Sequence, residues 1–342
     1  MYRVEINSHH RQIIDQLVDD MDHAFPDLES EEFLSHVPLY AQDLPRDLRK
    51  GLMHFRQAEP SGACLVSGYT IDDEAIGPTP AHWADARNAP STRRQEIAFS
   101  LISALLGDVI AWASQQDGAV VNDVLPIAGR EYAQAGSGSK KKLEWHTEDA
   151  FHPCRADYIG LMCMRNHDRI ETTMAFIDDV KLSDGDVEIL REARFPIRPD
   201  DSHSPAQRKN EELDPDVERL TRQTYSWIEA LNENPDEIAV LFGDKASPYL
   251  RVDPYFIAIP DHDEAAKAAL HALVQGLDRA LTSYALKPGE IIYIDNYKTV
   301  HGRNPFTPRF DGTDRWLKRL NLVRDLRKSR AARLTPSSHT IY

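Results

Sequence analysis

A histidine and a glutamate separated by one residue, His146 and Glu148, are the side chains in this sequence best suited to chemistry. Residues two positions apart point to the same face of an extended segment, so both could bind one metal ion. One more imidazole from an adjacent strand would complete a set of two histidines and one carboxylate. Such a set suits non-haem Fe(II), because it fills one face of an octahedron and leaves three positions open. His301 is our candidate for the third ligand.

The pair alone is weak evidence, because this spacing occurs by chance and a histidine beside Trp145 is often structural. His301 adds support through its setting. A predicted strand at 290–295 and a turn at 296–298 precede it, and a Gly-Arg pair follows it. We therefore predict that the three side chains converge on one ion.

Two arginines, Arg315 and Arg319, lie on a predicted strand at 315–323 and point to the same face, together with Asn321. If that face is internal, both charges need carboxylate partners, since unpaired buried charge is costly. Arginine is well suited to binding carboxylates through two parallel hydrogen bonds. The alternative is a solvated, cationic strand face.

Together these segments resemble the clavaminate synthase-like branch of the Fe(II)/2-oxoglutarate oxygenases, and within it the oxygenases of free L-arginine in antibiotic biosynthesis. An arginine fourteen residues after the distal histidine is typical of this pattern, and Glu148 matches the glutamate that the branch uses instead of the commoner aspartate. The matching motifs, spread over about 110–325, lie at 145–151, 157–158, 247–255, 301–304 and 315–319.

The resemblance implies a mainly β fold with flanking helices around a double-stranded β-helix, also called a jelly roll. It implies that the three predicted ligands hold Fe(II) and that O2 is a reactant. Arg315 would pair with the distal carboxylate of 2-oxoglutarate. Thr172, with Thr173 as its neighbouring alternative, would help to hold this cosubstrate.

The resemblance also implies a small-molecule substrate, a free amino acid, with L-arginine as the first choice. Arg319 would bind its α-carboxylate, Gln115 its α-amino group and Asp253 its guanidinium. Some relatives have a second acid where this chain has Tyr255, so asparagine or a modified arginine stays open. Carbons 3, 4 and 5 are all candidates for hydroxylation, and desaturation between C4 and C5 is another outcome.

Two other functions compete with this interpretation. Two histidines and a glutamate also form catalytic zinc sites, as in hydrolases. A hydrolase, however, has no need for an arginine that holds a 2-oxo acid, and only Asp149 is an obvious general base. The second competitor is a β-barrel that senses a small molecule without turnover. Formation of succinate that depends on Fe(II) and O2 would separate the three.

Composition excludes some other classes. The chain has 342 residues and a formal net charge of −15, which argues against a nucleic-acid or anionic-membrane partner. No stretch approaches the roughly 18–20 apolar residues of a membrane helix, and the N-terminus lacks the apolar core of a signal peptide. The three cysteines lack metal-type spacing, so we expect a cytoplasmic location. The oligomeric state stays open.

The hydrophobic pattern predicts one domain, 1–342, made of two parts. Residues 1–108 form a helical layer. Many short strands at 109–325 predict a β-sandwich or barrel, with inserted helices.

Two loops of this core stand out. The segment 135–142, rich in Gly, Ser and Lys, is flexible by composition. The polar, Pro-rich stretch 196–224 is too long for a plain connection. It is either a lid over the site or a disordered surface insertion.

Overall fold

The computed structural model describes residues 1–87, 89–200, 203 and 215–342. Within these ranges the chain folds into two main β-sheets and two small β-ladders. In chain order the strands are β1 (Tyr2–Glu5), β2 (Ala63–Ser67), β3 (Asp108–Trp112), β4 (Asn122–Val124), β5 (Leu143–His146), β6 (Tyr158–Arg165), β7 (Thr172–Phe176), β8 (Phe195–Ile197), β9 (Asp236–Ile238), β10 (Leu241–Gly243), β11 (Pro248–Leu250), β12 (Thr282–Tyr284), β13 (Ile291–Asp295), β14 (Thr299–Arg303), β15 (Trp316–Val323) and β16 (Thr340–Ile341).

The helices cover the outside of the sheets. None of the helices in the described ranges is long and apolar enough to cross a lipid bilayer. In chain order they are α1 (Ser8–Ala24), α2 (Glu31–Tyr40), α3 (Arg46–Ala58), α4 (Trp83–Ala86), α5 (Arg93–Ser103), α6 (Asp184–Leu190), α7 (Pro215–Glu233) and α8 (Glu264–Ala280).

The larger sheet has the order β1-β2-β13-β6-β15-β3-β16, with β4 also paired to β15, and the smaller one has the order β12-β7-β14-β5. Most neighbours are distant in sequence and antiparallel, as expected for a jelly roll. Among the strands of the described residues, only β1 with β2 and β3 with β16 run parallel. Two short ladders, β8 with β9 and β10 with β11, lie outside these sheets.

The central strands of the large sheet are buried on both faces, because the side chains of a strand alternate in direction. Leu161, Ile292 and Leu317 pack inward with Met174 of the small sheet. Their neighbours Met162, Ile291 and Leu320 pack outward against the N-terminal helices. The large sheet therefore separates the barrel interior from a helical layer.

Side chains cap the first two helices of the N-terminal layer. The Asn7 side chain accepts a hydrogen bond from the His10 amide at 2.9 Å and caps α1. Ser30 caps α2 in the same way, with Phe33 N as donor at 3.1 Å. Two strands of this region, β1 and β2, extend the large sheet.

Lys318 connects this layer to β15, the strand that carries Arg319 and begins directly after Arg315. On β15 its side chain is 1 % exposed, and Nζ lies 2.8 Å from Glu96 Oε1 of α5 and 2.7 Å from Asp123 Oδ1 of β4. Trp316 Nε1 donates to the same Asp123 oxygen at 2.6 Å. A buried lysine is thus neutralised by two carboxylates from different elements.

The polar stretch 196–224 is only partly described. Its first residues belong to β8, and its last ten lie in α7, which the sequence analysis did not predict. Residues 201, 202 and 204–214 lie outside the described residues, so the lid stays a prediction. His203, which is described, is buried.

Candidate active site

The pairing of β5 with β14 brings two of the predicted ligands together. His146 and His301 are directly opposite in this antiparallel pair, and their ring centroids are 4.9 Å apart. Each strand contributes one imidazole, and the two imidazoles lie side by side because directly opposite residues of neighbouring strands share a face.

Glu148 reaches the same point by a different route from the predicted one. The prediction that His146 and Glu148 share a face assumed an extended segment, but β5 ends at His146 and Glu148 lies in the turn that follows. Asp149 then adopts a left-handed backbone conformation with φ of 48°. The carboxylate is aimed by this turn rather than by strand alternation.

The three side chains form a compact donor set. Their candidate ligand atoms all lie within 4.8 Å of one another. Glu148 Oε2 is 3.6 Å from His146 Nε2 and 3.3 Å from His301 Nε2. His146 Nδ1 is hydrogen bonded to the Glu144 carbonyl at 2.9 Å, which leaves Nε2 for an ion. Two imidazoles and one carboxylate at this separation fit a divalent transition metal such as Fe(II).

The electrostatics of the set also fit a cation. Burial opposes ionisation of Glu148, but Arg319 and both histidines outweigh it and hold the pKa of this carboxyl well below its usual range. Burial likewise opposes a charged His146, yet Glu148 and Asp253 raise its pKa to about 9. Burial lowers the pKa of His301. Binding of a metal ion would release the His146 proton, because an imidazole ligand must be neutral.

Arg319 is held by protein groups. Nη1 donates to Glu148 Oε1 at 2.5 Å, and Nη2 donates to Gln115 Oε1 at 2.5 Å and to Asn122 Oδ1 at 2.8 Å. The sequence left an internal and a solvated face open for this strand, and the structure shows the internal one. Arg319 bridges the predicted metal ligand set and the predicted substrate contact Gln115.

Arg315 has a different environment. Its Nη2 donates to Thr172 Oγ1 at 3.0 Å, while Nε is buried without a hydrogen-bond partner among the described residues. Within those residues no carboxylate forms an ion pair with it, and burial lowers its pKa to about 10. A buried guanidinium with no ion-pair partner in the described part of the chain is suited to binding a dicarboxylate such as 2-oxoglutarate.

All of the predicted site residues line one cavity of about 260 Å³. Asp253 follows β11, and burial raises the pKa of its carboxyl to about 6. Tyr255, 58 % exposed, also lines the cavity, and its amide donates to Asp253 Oδ1 at 3.0 Å. The structure thus brings together the metal-binding, cosubstrate and substrate residues that the sequence suggested. Besides Asp253 and the three predicted metal ligands, the predicted site residues in the cavity lining are Thr172, Gln115, Arg315 and Arg319.

Sequence reasoning missed a second polar cluster beside Glu148. His203 Nε2 lies 2.9 Å from Asp149 Oδ1, and Trp112 Nε1 donates to Asp149 Oδ2 at 2.7 Å. Asp200 is near both Asp149 and His203 and also lines the cavity. No spacing signal marks Asp200 or His203, because they lie in a stretch without hydrophobic periodicity.

Arg303 was noted in the sequence only as part of the motif after His301, and its contacts were not predicted. It is buried beside the cosubstrate residues, and burial together with Arg315 lowers its pKa to about 9. Nη1 donates to the Gly138 carbonyl, and Nη2 donates to the Lys141 carbonyl at 2.9 Å. Two main-chain carbonyls of the Gly-rich segment 135–142 are thus hydrogen bonded to Arg303. The signal was available, because Arg303 follows His301 by two positions and shares its strand.

Residues 87–321 match the family described as "Taurine catabolism dioxygenase TauD, TfdA family". The chain belongs to this family of dioxygenases. It is 46% identical over 332 residues to an enduracididine beta-hydroxylase of Streptomyces hygroscopicus, with 96% of each chain covered. It is 41% identical over 343 residues to an L-ornithine/L-arginine 3-hydroxylase of Catenulispora acidiphila, with 100% of each covered.

The fold is that of a solved relative. The non-heme iron oxygenase OrfP, in complex with Fe, succinate and (3S)-hydroxy-L-Arg, superposes with a TM-score of 0.93 at 35% identity, and 100% of each chain is covered. A second OrfP structure contains Fe and alpha-ketoglutaric acid, with a TM-score of 0.87 at 34% identity and 99% and 100% covered.

These comparisons confirm the predicted jelly-roll fold and the predicted class of enzyme, an Fe(II)/2-oxoglutarate-dependent dioxygenase. They support neither the zinc hydrolase nor the sensor without turnover.

Proposed function

We propose that this enzyme hydroxylates a free amino acid with a guanidine side chain, L-arginine or a close analogue, at C3. One observation carries the proposal. The predicted metal ligands, the half-buried Asp253 and Arg315, which has no ion-pair partner among the described residues, line one cavity. The names of the relatives support it, because both curated ones are hydroxylases acting at the β or 3 position.

When bound, Fe(II), 2-oxoglutarate and O2 supply the oxidising power to break an unactivated C–H bond, with succinate and CO2 as by-products. In our proposal His146, Glu148 and His301 hold the iron. Arg315 and the Thr172 hydroxyl hold the far carboxylate of 2-oxoglutarate. Because that arginine already lies buried next to its threonine, little rearrangement is needed when the dianion enters.

The substrate would lie between two charged groups of opposite sign. Arg319 is placed to bind an α-carboxylate beside the metal, with Gln115 next to it for the α-amino group. Asp253 would bind the guanidinium. Asp200 lies close enough for its charge to raise the pKa of Asp253, so the cation would meet two carboxylates even though Tyr255 replaces the second acid of some relatives.

The fixed distance between these anchors decides which carbon faces the oxidant, because reacting atoms must be placed to within about an ångström. An α-carboxylate held by Arg319, which itself contacts the metal ligand Glu148, puts the early carbons of the substrate nearest the iron. This supports C3 over C5.

The test is product analysis with Fe(II), 2-oxoglutarate, O2 and a panel of arginine, enduracididine, ornithine, homoarginine, lysine and asparagine. We expect succinate and a product heavier by one oxygen, with loss of one deuterium from substrate labelled at C3. Retention of that label would exclude C3, and loss of two hydrogens without oxygen gain would indicate desaturation. The matched control is His301→Ala, which should form no product.

We further propose that the chain works as a single oxygenase domain in the cytoplasm. The three cysteines Cys64, Cys154 and Cys163 are unpaired, which fits a reducing compartment.

A further inference from the structure

We propose that Asn296 is a positioning residue of the metal site, and that its carboxamide fixes the main chain of Glu148 so that the carboxylate meets both histidines. The inference rests on the proposed role of Glu148 as a metal ligand. It concerns a side chain that neither touches the metal nor lines the cavity.

Glu148 needs such support because it lies where the chain leaves the sheet. The last residue of β5 is His146, so the ladder with β14 does not extend to Glu148. The preceding residue, Thr147, is bonded through both its amide and its hydroxyl to the Val252 carbonyl. The following residue, Asp149, already has a left-handed backbone. A buried peptide group in this position must find other partners.

Asn296 supplies those partners. The Glu148 amide donates to Asn296 Oδ1 at 2.7 Å, and Asn296 Nδ2 donates to the Glu148 carbonyl at 3.0 Å. The same Nδ2 donates to the Ala156 carbonyl at 2.8 Å. Asn296 is fully buried. A carboxamide can accept at one end and donate twice at the other, which neither a carboxylate nor a hydroxyl can do.

The position of Asn296 in the chain gives these bonds their significance. It lies in the turn between β13 and β14, five residues before His301, and its own amide donates to the Asp157 carbonyl at 2.9 Å. The turn that leads into the strand of His301 is therefore hydrogen bonded to the loop that carries Glu148. The separation of 3.3 Å between Glu148 Oε2 and His301 Nε2 depends on this connection.

The chain offers a matched control. Asn166 is also buried, accepts from the Ile170 amide at 2.8 Å and donates to the carbonyls of Ile170 and Leu286, each at 3.0 Å. Its hydrogen bonds have the same number and kind, but they secure a loop that does not line the cavity. Removing either carboxamide should therefore destabilise the protein to a similar extent.

The experiment compares Asn296→Ala with Asn166→Ala by calorimetric titration of Co(II) alone, by the visible absorption of the bound Co(II) and by thermal denaturation. We expect Asn296→Ala to weaken Co(II) binding about 10- to 100-fold, as loss of outer groups that orient ligands does, and to alter the absorption bands. Asn166→Ala should bind Co(II) like the natural chain despite a comparable fall in Tm. Asn296→Ser, whose hydroxyl can replace one bond, should weaken binding less and serves if Asn296→Ala does not fold.

Normal Co(II) binding by the Asn296 variants would overturn the inference, as would equal weakening by Asn166→Ala. His301→Ala, measured alongside, tests the site itself. If the natural chain does not bind Co(II), or His301→Ala binds it unchanged, the proposed metal site fails and the inference with it. If only the Asn296 variants behave normally, the site stands and this inference alone is lost.

Discussion

Arg315 and Arg319 lie four residues apart at the same cavity, yet their surroundings differ. Arg319 is surrounded by protein acceptors, among them the Glu148 carboxylate. Arg315 is also buried, but a threonine hydroxyl is its one side-chain partner among the described residues.

The difference indicates how each site is prepared for its ligand. Arg319 is already neutralised by the protein, so a substrate carboxylate must share it with existing partners. Arg315 carries an uncompensated charge in a desolvated place, and such a charge gains most from an incoming anion. We therefore expect binding of 2-oxoglutarate to depend on Arg315 more steeply than binding of the amino acid depends on Arg319.

Arg315→Met tests the larger of the two effects. Loss of a buried partner for a carboxylate costs about 2–5 kcal/mol, which corresponds to a rise of roughly 30-fold or more in the Kd of 2-oxoglutarate. The free protein should not lose stability, because no carboxylate is left unpaired. Calorimetric titration and thermal denaturation measure both quantities, with the exposed Arg309→Met as control. A Kd within threefold of the natural value would contradict the assignment.

Arg319→Met should show the opposite balance. The variant leaves the Glu148 carboxylate and Gln115 without their shared donor, so the free protein should be less stable by about 1–3 kcal/mol. The KM for arginine should rise about tenfold or more, while the Kd of 2-oxoglutarate without substrate changes less than in Arg315→Met. Equal losses of 2-oxoglutarate affinity in the two variants would remove the distinction between the arginines.

The pH dependence of arginine turnover tests Asp253, the proposed contact of the substrate guanidinium. Burial raises the pKa of Asp253 to about 6 in the free enzyme, and the protonated acid cannot attract a guanidinium. Log kcat/KM should therefore fall below about pH 6 with a slope near one, because this parameter reports groups of the free enzyme. Asp253→Asn should be slow at every pH and lack that limb. A limb that persists in the variant would assign the titration to another group.

Thr172→Val is the smallest of these changes. It removes the hydroxyl that accepts from Arg315, a bond worth about 0.5–1.5 kcal/mol, so the Kd of 2-oxoglutarate should rise about 2- to 13-fold. Thr173→Val is the matched control, because its buried hydroxyl has no hydrogen-bond partner within the described part of the chain. If Thr173→Val has the larger effect, the neighbouring threonine holds the cosubstrate instead.

The sequence was sufficient where residue type and strand periodicity decide the outcome. His146 and His301 could be paired because each lies on a short predicted strand, and alternation placed Arg315 and Arg319 on one face. It was insufficient where a loop closes on a distant turn. The position of Glu148 depends on Asn296, and that of Asp149 on His203, and no local pattern encodes contacts between segments so far apart.

The buried ammonium of Lys318 makes the helical layer a structural support for the strand that carries Arg319. A shortened chain that starts at residue 109 would retain every predicted metal, cosubstrate and substrate residue. It would lack Glu96, one of the two carboxylates that neutralise this lysine. The lysine lies on the strand that carries Arg319 and begins directly after Arg315. A chain shortened to its barrel would therefore lose support on the outer face of this strand, although no residue that faces the substrate had been removed.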